Sequence, residues 1–118
     1  FDTGRFKGGD SDSQIFNKAG IVQVLCNIHA SMISYVVVLD TPYYGHADGS
    51  GGFSIRGVPP GEYHVDAWHE AASRPARTKV SVGADGVRGL QIKVAGDRKR
   101  PNMVPDKYGK PRQAQLGY

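Results

Sequence analysis

Residues 21–39 read IVQVLCNIHASMISYVVVL. Two β-branched apolar runs, residues 21–26 and 33–39, flank a short stretch of small and polar residues at positions 27–32. Runs of this length and composition are typical of β-strands, and the polar stretch between them favours a loop. The segment therefore predicts a strand–loop–strand unit in which Cys26 ends the first strand and Met32 ends the loop.

The β-pattern continues downstream of residue 39. Residues 62–69 alternate, with Tyr63 and Val65 on one face of a predicted strand and His64 and Asp66 on the other. No helical period of ten residues occurs, and glycine and proline are frequent at the expected turns. These features predict an all-β fold, an antiparallel β-sandwich of about seven short strands. The further predicted strands are residues 53–55, 78–82 and 90–94, residues 43–46 are predicted as a short strand or the entry to a turn, and the predicted turns are residues 48–52, 58–61 and 83–86.

The charge of the chain is concentrated at one end. The formal net charge is +4, and residues 1–94 hold equal numbers of basic and acidic side chains. We therefore expect three regions: an irregular N-terminal arm over residues 1–19, a β-sandwich domain over residues 20–94, and an extended basic tail over residues 95–118. A basic tail on a neutral body argues for one charged contact and against a nucleic-acid-binding face.

The cysteine count and the hydropathy pattern exclude several classes. A single cysteine forbids an intrachain disulfide, so Cys26 is a buried inert residue, a reactive thiol or a metal ligand. No run of 18 apolar residues occurs, so we expect no membrane-spanning segment. The chain starts at Phe1 without a methionine, and we interpret it as a processed product or a fragment.

The spacing Cys26-x-x-His29-x-x-Met32 between two predicted strands resembles the ligand loop of the cupredoxins, in its amicyanin-type form. In that family the thiolate of a strand-end cysteine, the following histidine and a weak axial methionine hold copper. The resemblance covers about residues 14–39. It implies a copper site with Cys26, His29 and Met32 as ligands.

A second stretch, Asp48-Gly49 followed by residues 53–63 (FSIRGVPPGEY), resembles the transthyretin-like, carboxypeptidase-regulatory-like β-sandwich modules. These modules are mostly structural and interaction domains. The combination is similar to exported bacterial plastocyanin-like proteins, which place a cupredoxin half before such a sandwich. Residues 1–6 look like the middle of that half. The resemblance implies a periplasmic or extracellular protein, with a further histidine ligand upstream of the position of Phe1.

A blue-copper site needs a second imidazole, and the sequence does not place it at a recognisable family position. His46, His64 and His69 are the remaining histidines. We favour His69, because it follows an aromatic residue at the end of a predicted strand. A second chain or an upstream segment are the other possible sources of this ligand.

An enzymatic role is not expected. His69 and Glu70 are neighbours in the chain and would point to opposite faces of a strand, so they cannot easily act together. Cys26 and His29 lack a third residue that would orient a nucleophile pair, and no regular calcium loop or phosphate-binding glycine loop occurs.

Two functions therefore stay open. The first is a periplasmic, cupredoxin-like copper-binding and electron-transfer module. The second is a non-catalytic accessory subunit of a membrane-bound respiratory or photosynthetic redox complex, which keeps a vestigial copper loop. In this second case the tail Arg98–Tyr118 would contact a protein partner such as a cytochrome, with Tyr108, Leu116 and Tyr118 as apolar anchors.

Overall fold

The computed structural model describes residues 1–5, 7–26, 32–97 and 108–110. Its regular elements are four β-strands: β1 is Gly20–Leu25, β2 is Ile33–Val38, β3 is Gly61–Ala67 and β4 is Ala76–Val82. Within these described ranges no helix occurs, and this confirms the all-β prediction. No helix in the same ranges is long and apolar enough to cross a membrane.

The chain divides into two compact units, Phe1–Asp40 and Thr41–Tyr118. The first unit contains β1 and β2 as a two-stranded antiparallel sheet, and the second contains β3 and β4 as another. Each sheet joins strands that are consecutive in the chain. Local sequence therefore determines both pairings, without any crossover connection.

The β1–β2 hairpin confirms the two predicted strands of this segment, and residues 27–31 of the predicted loop lie outside the described residues. Its register pairs Ile21 with Val37 and Leu25 with Ile33, so these four apolar side chains share one face. The opposite face is apolar as well, and near-continuous apolar strands of this kind are typical of sheets that are covered on both sides. That second face carries Val22, Val24, Val36 and Val38.

The β3–β4 hairpin has one apolar and one polar face, as the alternation of residues 62–69 predicts. Burial alternates along both strands, and the half-buried set includes Tyr63, Val65 and Val80. On the polar face Asp66 lies opposite Arg77. The Arg77 guanidinium donates from Nε to Asp66 Oδ1 at 2.7 Å and from Nη2 to Oδ2 at 2.9 Å. This ion pair lowers the pKa of Asp66, but both side chains are well exposed, so its contribution to stability is small.

The predicted turn at residues 48–52 is confirmed. The Asp48 N–H donates to the Gly52 carbonyl at 2.9 Å and closes the loop. Asp48 Oδ1 accepts hydrogen bonds from the Ser50 N–H, the Ser50 hydroxyl and the Gly52 N–H, at 2.9, 2.7 and 2.9 Å. These donors favour the charged carboxylate, so the pKa of Asp48 is lowered from its ordinary value, with the Ser50 hydroxyl as the largest cause.

This carboxylate predicts a pH dependence of stability. Because the folded pKa of Asp48 is depressed, its contribution is fully present above the ordinary value of 3.8 and is lost as the pH falls through the folded value. We expect Asp48→Asn to be less stable than the parent chain at about pH 6 and to approach it at about pH 2.5, as measured by urea unfolding. Asp85→Asn is the matched control, because Asp85 lies in the turn at residues 83–86 and its carboxylate accepts no hydrogen bond among the described residues. A difference between Asp48→Asn and the parent that does not change with pH would contradict this account.

Two predicted strands, and the segment predicted as a strand or a turn entry, do not form regular strands. Residues 43–46, 53–55 and 90–94 lie in described parts of the chain, and none of them belongs to a hydrogen-bonded ladder. Gly57 and Gly89 adopt φ values of +75° and +72°. Gly57 therefore interrupts the extended backbone just after residues 53–55, and Gly89 interrupts it just before residues 90–94. These segments have no ladder partner among the described residues, although the side chains of residues 53–55 and 90–94 alternate like those of a strand.

Residue burial is shallow throughout the described ranges. Ala72, at 3% exposure, is the one apolar residue there that is fully buried, and the inward side chains of β3 and β4 are half-buried. Paired sheets that close over a common core define a sandwich. The structure therefore establishes two antiparallel hairpins, and the sandwich over residues 20–94 stays a prediction.

Candidate metal centre

Two of the predicted ligands lie at the closed end of the β1–β2 hairpin. Cys26 directly follows β1 and Met32 directly precedes β2. The Cys26 N–H donates to the Met32 carbonyl at 3.2 Å, which adds one more pair to the ladder beyond Leu25 and Ile33. Residues opposite each other on antiparallel strands share a face, with Cβ atoms about 4.5–5.5 Å apart. The thiol and the thioether therefore belong to the same face of the hairpin end.

The surroundings of the two sulfur-bearing side chains differ. Cys26 is half-buried, whereas Met32 is 56% exposed. A half-buried thiolate and an accessible thioether are soft ligands of the kind that select Cu(I). The side chain of Cys26 is thus partly shielded from solvent, and that of Met32 is open to it.

The third predicted ligand, His29, lies within residues 27–31, which are outside the described residues. Its role as an imidazole ligand therefore stays a prediction. In the described part of the chain, no group of three or more His, Cys, Asp or Glu residues is placed so that it could hold a metal ion. Of the three predicted ligands in this segment, the structure describes Cys26 and Met32.

His69 belongs to the second unit and has a local role there. It lies two residues beyond the end of β3, in a turn where the Ala72 N–H donates to the His69 carbonyl at 2.9 Å. The Ala71 N–H donates to His69 Nδ1 at 3.0 Å. The imidazole therefore carries its proton on Nε2. A metal bound at Nε2 requires that proton to leave, and a metal bound at Nδ1 would replace the Ala71 hydrogen bond.

The two other histidines also have defined neighbours. His64 lies on the polar face of β3, directly opposite Lys79, where an ammonium group would repel a bound cation. His46 makes an edge-to-face contact with the Tyr44 ring at a centroid distance of 6.0 Å. Neither residue gains a second candidate ligand from these contacts.

The sequence did not predict that the carboxylate of Asp97 is held by hydrogen bonds. The Ser73 N–H and hydroxyl donate to Asp97 Oδ1 and Oδ2 at 2.9 and 2.8 Å. These bonds lower the pKa of Asp97, with the Ser73 N–H as the largest cause. Asp97 lies within the predicted tail, so at least the first part of that region is tied to the loop that follows β3. A serine and an aspartate 24 positions apart carry no sequence signal that would pair them.

The described structure thus brings Cys26 and Met32 together in the first unit, and it places His69 in a hydrogen-bonded turn of the second. Comparison with protein-family models, with curated proteins and with solved structures finds no match to this chain.

Proposed function

We propose that this chain is a non-enzymatic, exported copper-binding and electron-transfer module. Its metal centre is at the closed end of the β1–β2 hairpin, and the ligands are Cys26, His29 and Met32. The observation that supports the proposal is the hydrogen bond from the Cys26 N–H to the Met32 carbonyl, which joins the two sulfur-bearing residues across the hairpin.

The donor set suits both oxidation states of copper. The thiolate and the thioether favour Cu(I), and imidazole also suits Cu(II). Bound copper would supply a centre for one-electron transfer. The chain's own part is to hold the two sulfur positions at a separation that the β-ladder determines, while the half-buried position of Cys26 limits the access of water to the thiolate.

The finer features of the fold belong to the same proposal. The hairpin with two apolar faces and the hairpin with one apolar face are the kinds of element that a β-sandwich over residues 20–94 would combine. A two-stranded hairpin is at best marginally stable alone, so further layers are expected to cover both. We place the protein in the periplasm or at the cell surface, where a single cysteine persists as a metal ligand or a buried thiol.

The proposal is tested by the metal content and the visible spectrum of the purified chain after addition of Cu(II). We expect about one equivalent of copper and an intense thiolate-to-copper band. His29→Ala should remove the band, and His46→Ala is the matched control that should keep it. His69→Ala tests the fourth ligand, because a shift of the band in this variant would assign the second imidazole to His69. A colourless chain without bound copper would overturn the proposal.

The second candidate function is an accessory subunit of a membrane-bound redox complex that binds its partner through the basic tail. The observation that favours it is the exposure of Tyr108, which presents 74% of its surface to solvent within a positively charged stretch. Tyrosine is enriched at protein interfaces. On this view, deletion of residues 98–118 abolishes association with an acidic cytochrome, whereas Cys26→Ser leaves it unchanged.

A further inference from the structure

The dipeptide Asp-Gly occurs in two turns of the chain. One copy is Asp48-Gly49 in the turn at residues 48–52, and the other is Asp85-Gly86 in the turn at residues 83–86. An aspartate that precedes glycine is prone to isomerise, because glycine has no side chain to hinder the approach of its own nitrogen to the aspartyl carboxyl group. The two turns hold this dipeptide in different ways, so the structure distinguishes its two copies.

The reaction is an isomerisation that needs only water. The backbone nitrogen of the glycine attacks Cγ of the protonated aspartyl side chain and forms a new N–Cγ bond. The hydroxyl of the carboxyl group and the amide proton leave together as water, and the product is a cyclic succinimide. Addition of water then breaks the original peptide C–N bond. The chain now runs through Cβ and Cγ as isoaspartate, with a free α-carboxylate and no net change in composition.

At Asp48 the reacting carboxylate is held in place. Its Oδ1 accepts hydrogen bonds from the Ser50 N–H, the Ser50 hydroxyl and the Gly52 N–H at 2.9, 2.7 and 2.9 Å. The backbone is held as well, because the Asp48 N–H donates to the Gly52 carbonyl and the Gly51 N–H donates to the Asp48 carbonyl. These donors favour the charged carboxylate, which is not the reactive form. Attack at Asp48 Cγ therefore requires several of these bonds to break.

At Asp85 the carboxylate has no such restraint. The side chain is exposed, and its oxygens accept no hydrogen bond among the described residues. The turn is closed by the hydrogen bond from the Gly86 N–H to the Gly83 carbonyl at 3.0 Å, and this bond must open before the nitrogen can attack. Gly83 and Gly86 form an isolated bridge, so no described strand continues the pairing beyond them. An exposed bond at the end of a ladder opens by local fluctuation more easily than a network of bonds.

We propose that Asp85-Gly86 is a site of spontaneous isoaspartate formation in the folded protein, and that the hydrogen bonds of the turn at residues 48–52 protect Asp48-Gly49 from the same reaction. Water is the only reactant. The modified residue has a free α-carboxylate, which makes it a substrate for enzymes that methylate isoaspartate. The reaction at this site does not depend on copper binding.

The modification would change the turn that follows β4. Isoaspartate places an additional backbone atom between the Cα of residue 85 and the nitrogen of Gly86, so the Gly86 N–H cannot keep its hydrogen bond to the Gly83 carbonyl in the same geometry. The ladder of β3 and β4 ends at Val82 and should be kept. We therefore expect the modified chain to stay folded, with a rearranged connection between β4 and residues 87–94.

The test compares the two dipeptides within the full chain, incubated at about pH 5, where a fraction of ordinary aspartyl side chains is protonated. Trypsin then releases residues 80–88 with Asp85, and chymotrypsin releases residues 45–53 with Asp48. Each purified peptide is assayed for isoaspartate by transfer of a labelled methyl group from S-adenosylmethionine with an isoaspartyl methyltransferase. We expect Asp85 to react at least about 10-fold faster, because reaction at Asp48 requires the loss of about two more hydrogen bonds.

Incubation in urea calibrates the comparison. Neither turn exists in the unfolded chain, so the two dipeptides should react there at similar rates. A difference of the same size in urea would assign the effect to the local sequence and overturn the proposal. Equal rates in the folded chain, a faster reaction at Asp48, or folded chain without isoaspartate in residues 80–88 would overturn it as well.

Two variants test the assigned causes. Ser50→Ala removes one donor to Asp48 Oδ1 and should speed the reaction at Asp48 by about 2–10-fold, the effect of one hydrogen bond, while Asp85 reacts as before. Asp85→Glu should remove the signal from residues 80–88, because a glutamyl side chain must close a larger ring. An unchanged rate at Asp48 in Ser50→Ala would contradict the proposed protection, and a signal that persists in Asp85→Glu would contradict the proposed site.

Discussion

Replacing Cys26 with serine is expected to lower the affinity of the chain for copper by more than about 100-fold. Mutation of residues that only hydrogen-bond to metal ligands already lowers metal affinity by about 10–100-fold, and loss of a ligand itself should cost more. Serine offers a hard hydroxyl oxygen that stays protonated, whereas the cysteine thiolate is the soft ligand that copper prefers. The fold should survive, because the side chains are similar in size and the hydrogen bond to the Met32 carbonyl comes from the backbone of residue 26. Competition with a chromophoric Cu(I) chelator measures the affinity, and far-ultraviolet circular dichroism checks the fold.

The two methionines provide the matched control for this experiment. Met32→Leu removes a weak axial ligand and should reduce the affinity by about 10-fold, while keeping an apolar side chain of similar size. Met103→Leu makes the same chemical change in the tail and should have no effect. A Cys26→Ser chain that binds copper as tightly as the parent would refute the proposed centre and leave the accessory-subunit function as the better account. Equal losses in the two methionine variants would show that Met32 is not a ligand.

The β1–β2 hairpin could be predicted because its signal is local. Residues 21–26 and 33–39 are β-branched runs separated by a short loop, and the strands Gly20–Leu25 and Ile33–Val38 follow these limits within one residue. A hairpin needs only neighbouring segments to find each other. The proximity of Cys26 and Met32 follows from the same local geometry, so the spacing of the motif was sufficient to predict it.

The prediction of strands at residues 53–55 and 90–94 was wrong. Alternation of apolar and polar residues indicates which side chains are buried, and it does not indicate whether the backbone has a hydrogen-bonded partner. Residues 61–67 and 76–82 show the same alternation and do form strands, since they pair with each other over seven residues. The contact between Ser73 and Asp97 and the turn around His69 depend on tertiary placement. Single-sequence patterns contain no information about either.

His69 illustrates why a ligand from a separate segment is harder to predict than a motif within one loop. Its position after an aromatic residue suggested a ligand at a strand end, but β3 ends at Ala67. The Ala71 N–H then uses the Nδ1 lone pair of His69. A ligand motif within one loop is determined by spacing, whereas a ligand from another segment depends on which hydrogen bonds its imidazole already makes.

Gly45→Ala is expected to destabilise the second unit by about 1–3 kcal/mol, the usual cost of inserting a methyl group where the backbone leaves no room. A Cβ atom at Gly45 would lie 2.5 Å from the Ser54 carbonyl oxygen and 3.3 Å from Ile55 Cγ1. The closest of these atoms belongs to the backbone, so a change of side-chain rotamer cannot relieve the clash. The Asp48–Gly52 hydrogen bond closes the turn that connects the two segments and limits how far they can separate. Urea unfolding measures the loss as a lower midpoint with an unchanged slope.

Gly49→Ala controls for the change in the unfolded state. Both substitutions reduce the conformational entropy of the unfolded chain equally, an effect that by itself stabilises by about 0.4–1 kcal/mol. At Gly49 a Cβ atom meets nothing within 4 Å, and the backbone there does not adopt a positive φ. The difference between the two variants therefore isolates the contact with Ser54. If Gly45→Ala proved as stable as Gly49→Ala, residues 43–46 and 53–55 could not lie side by side at this distance, and the packing of this part of the second unit would have to be revised.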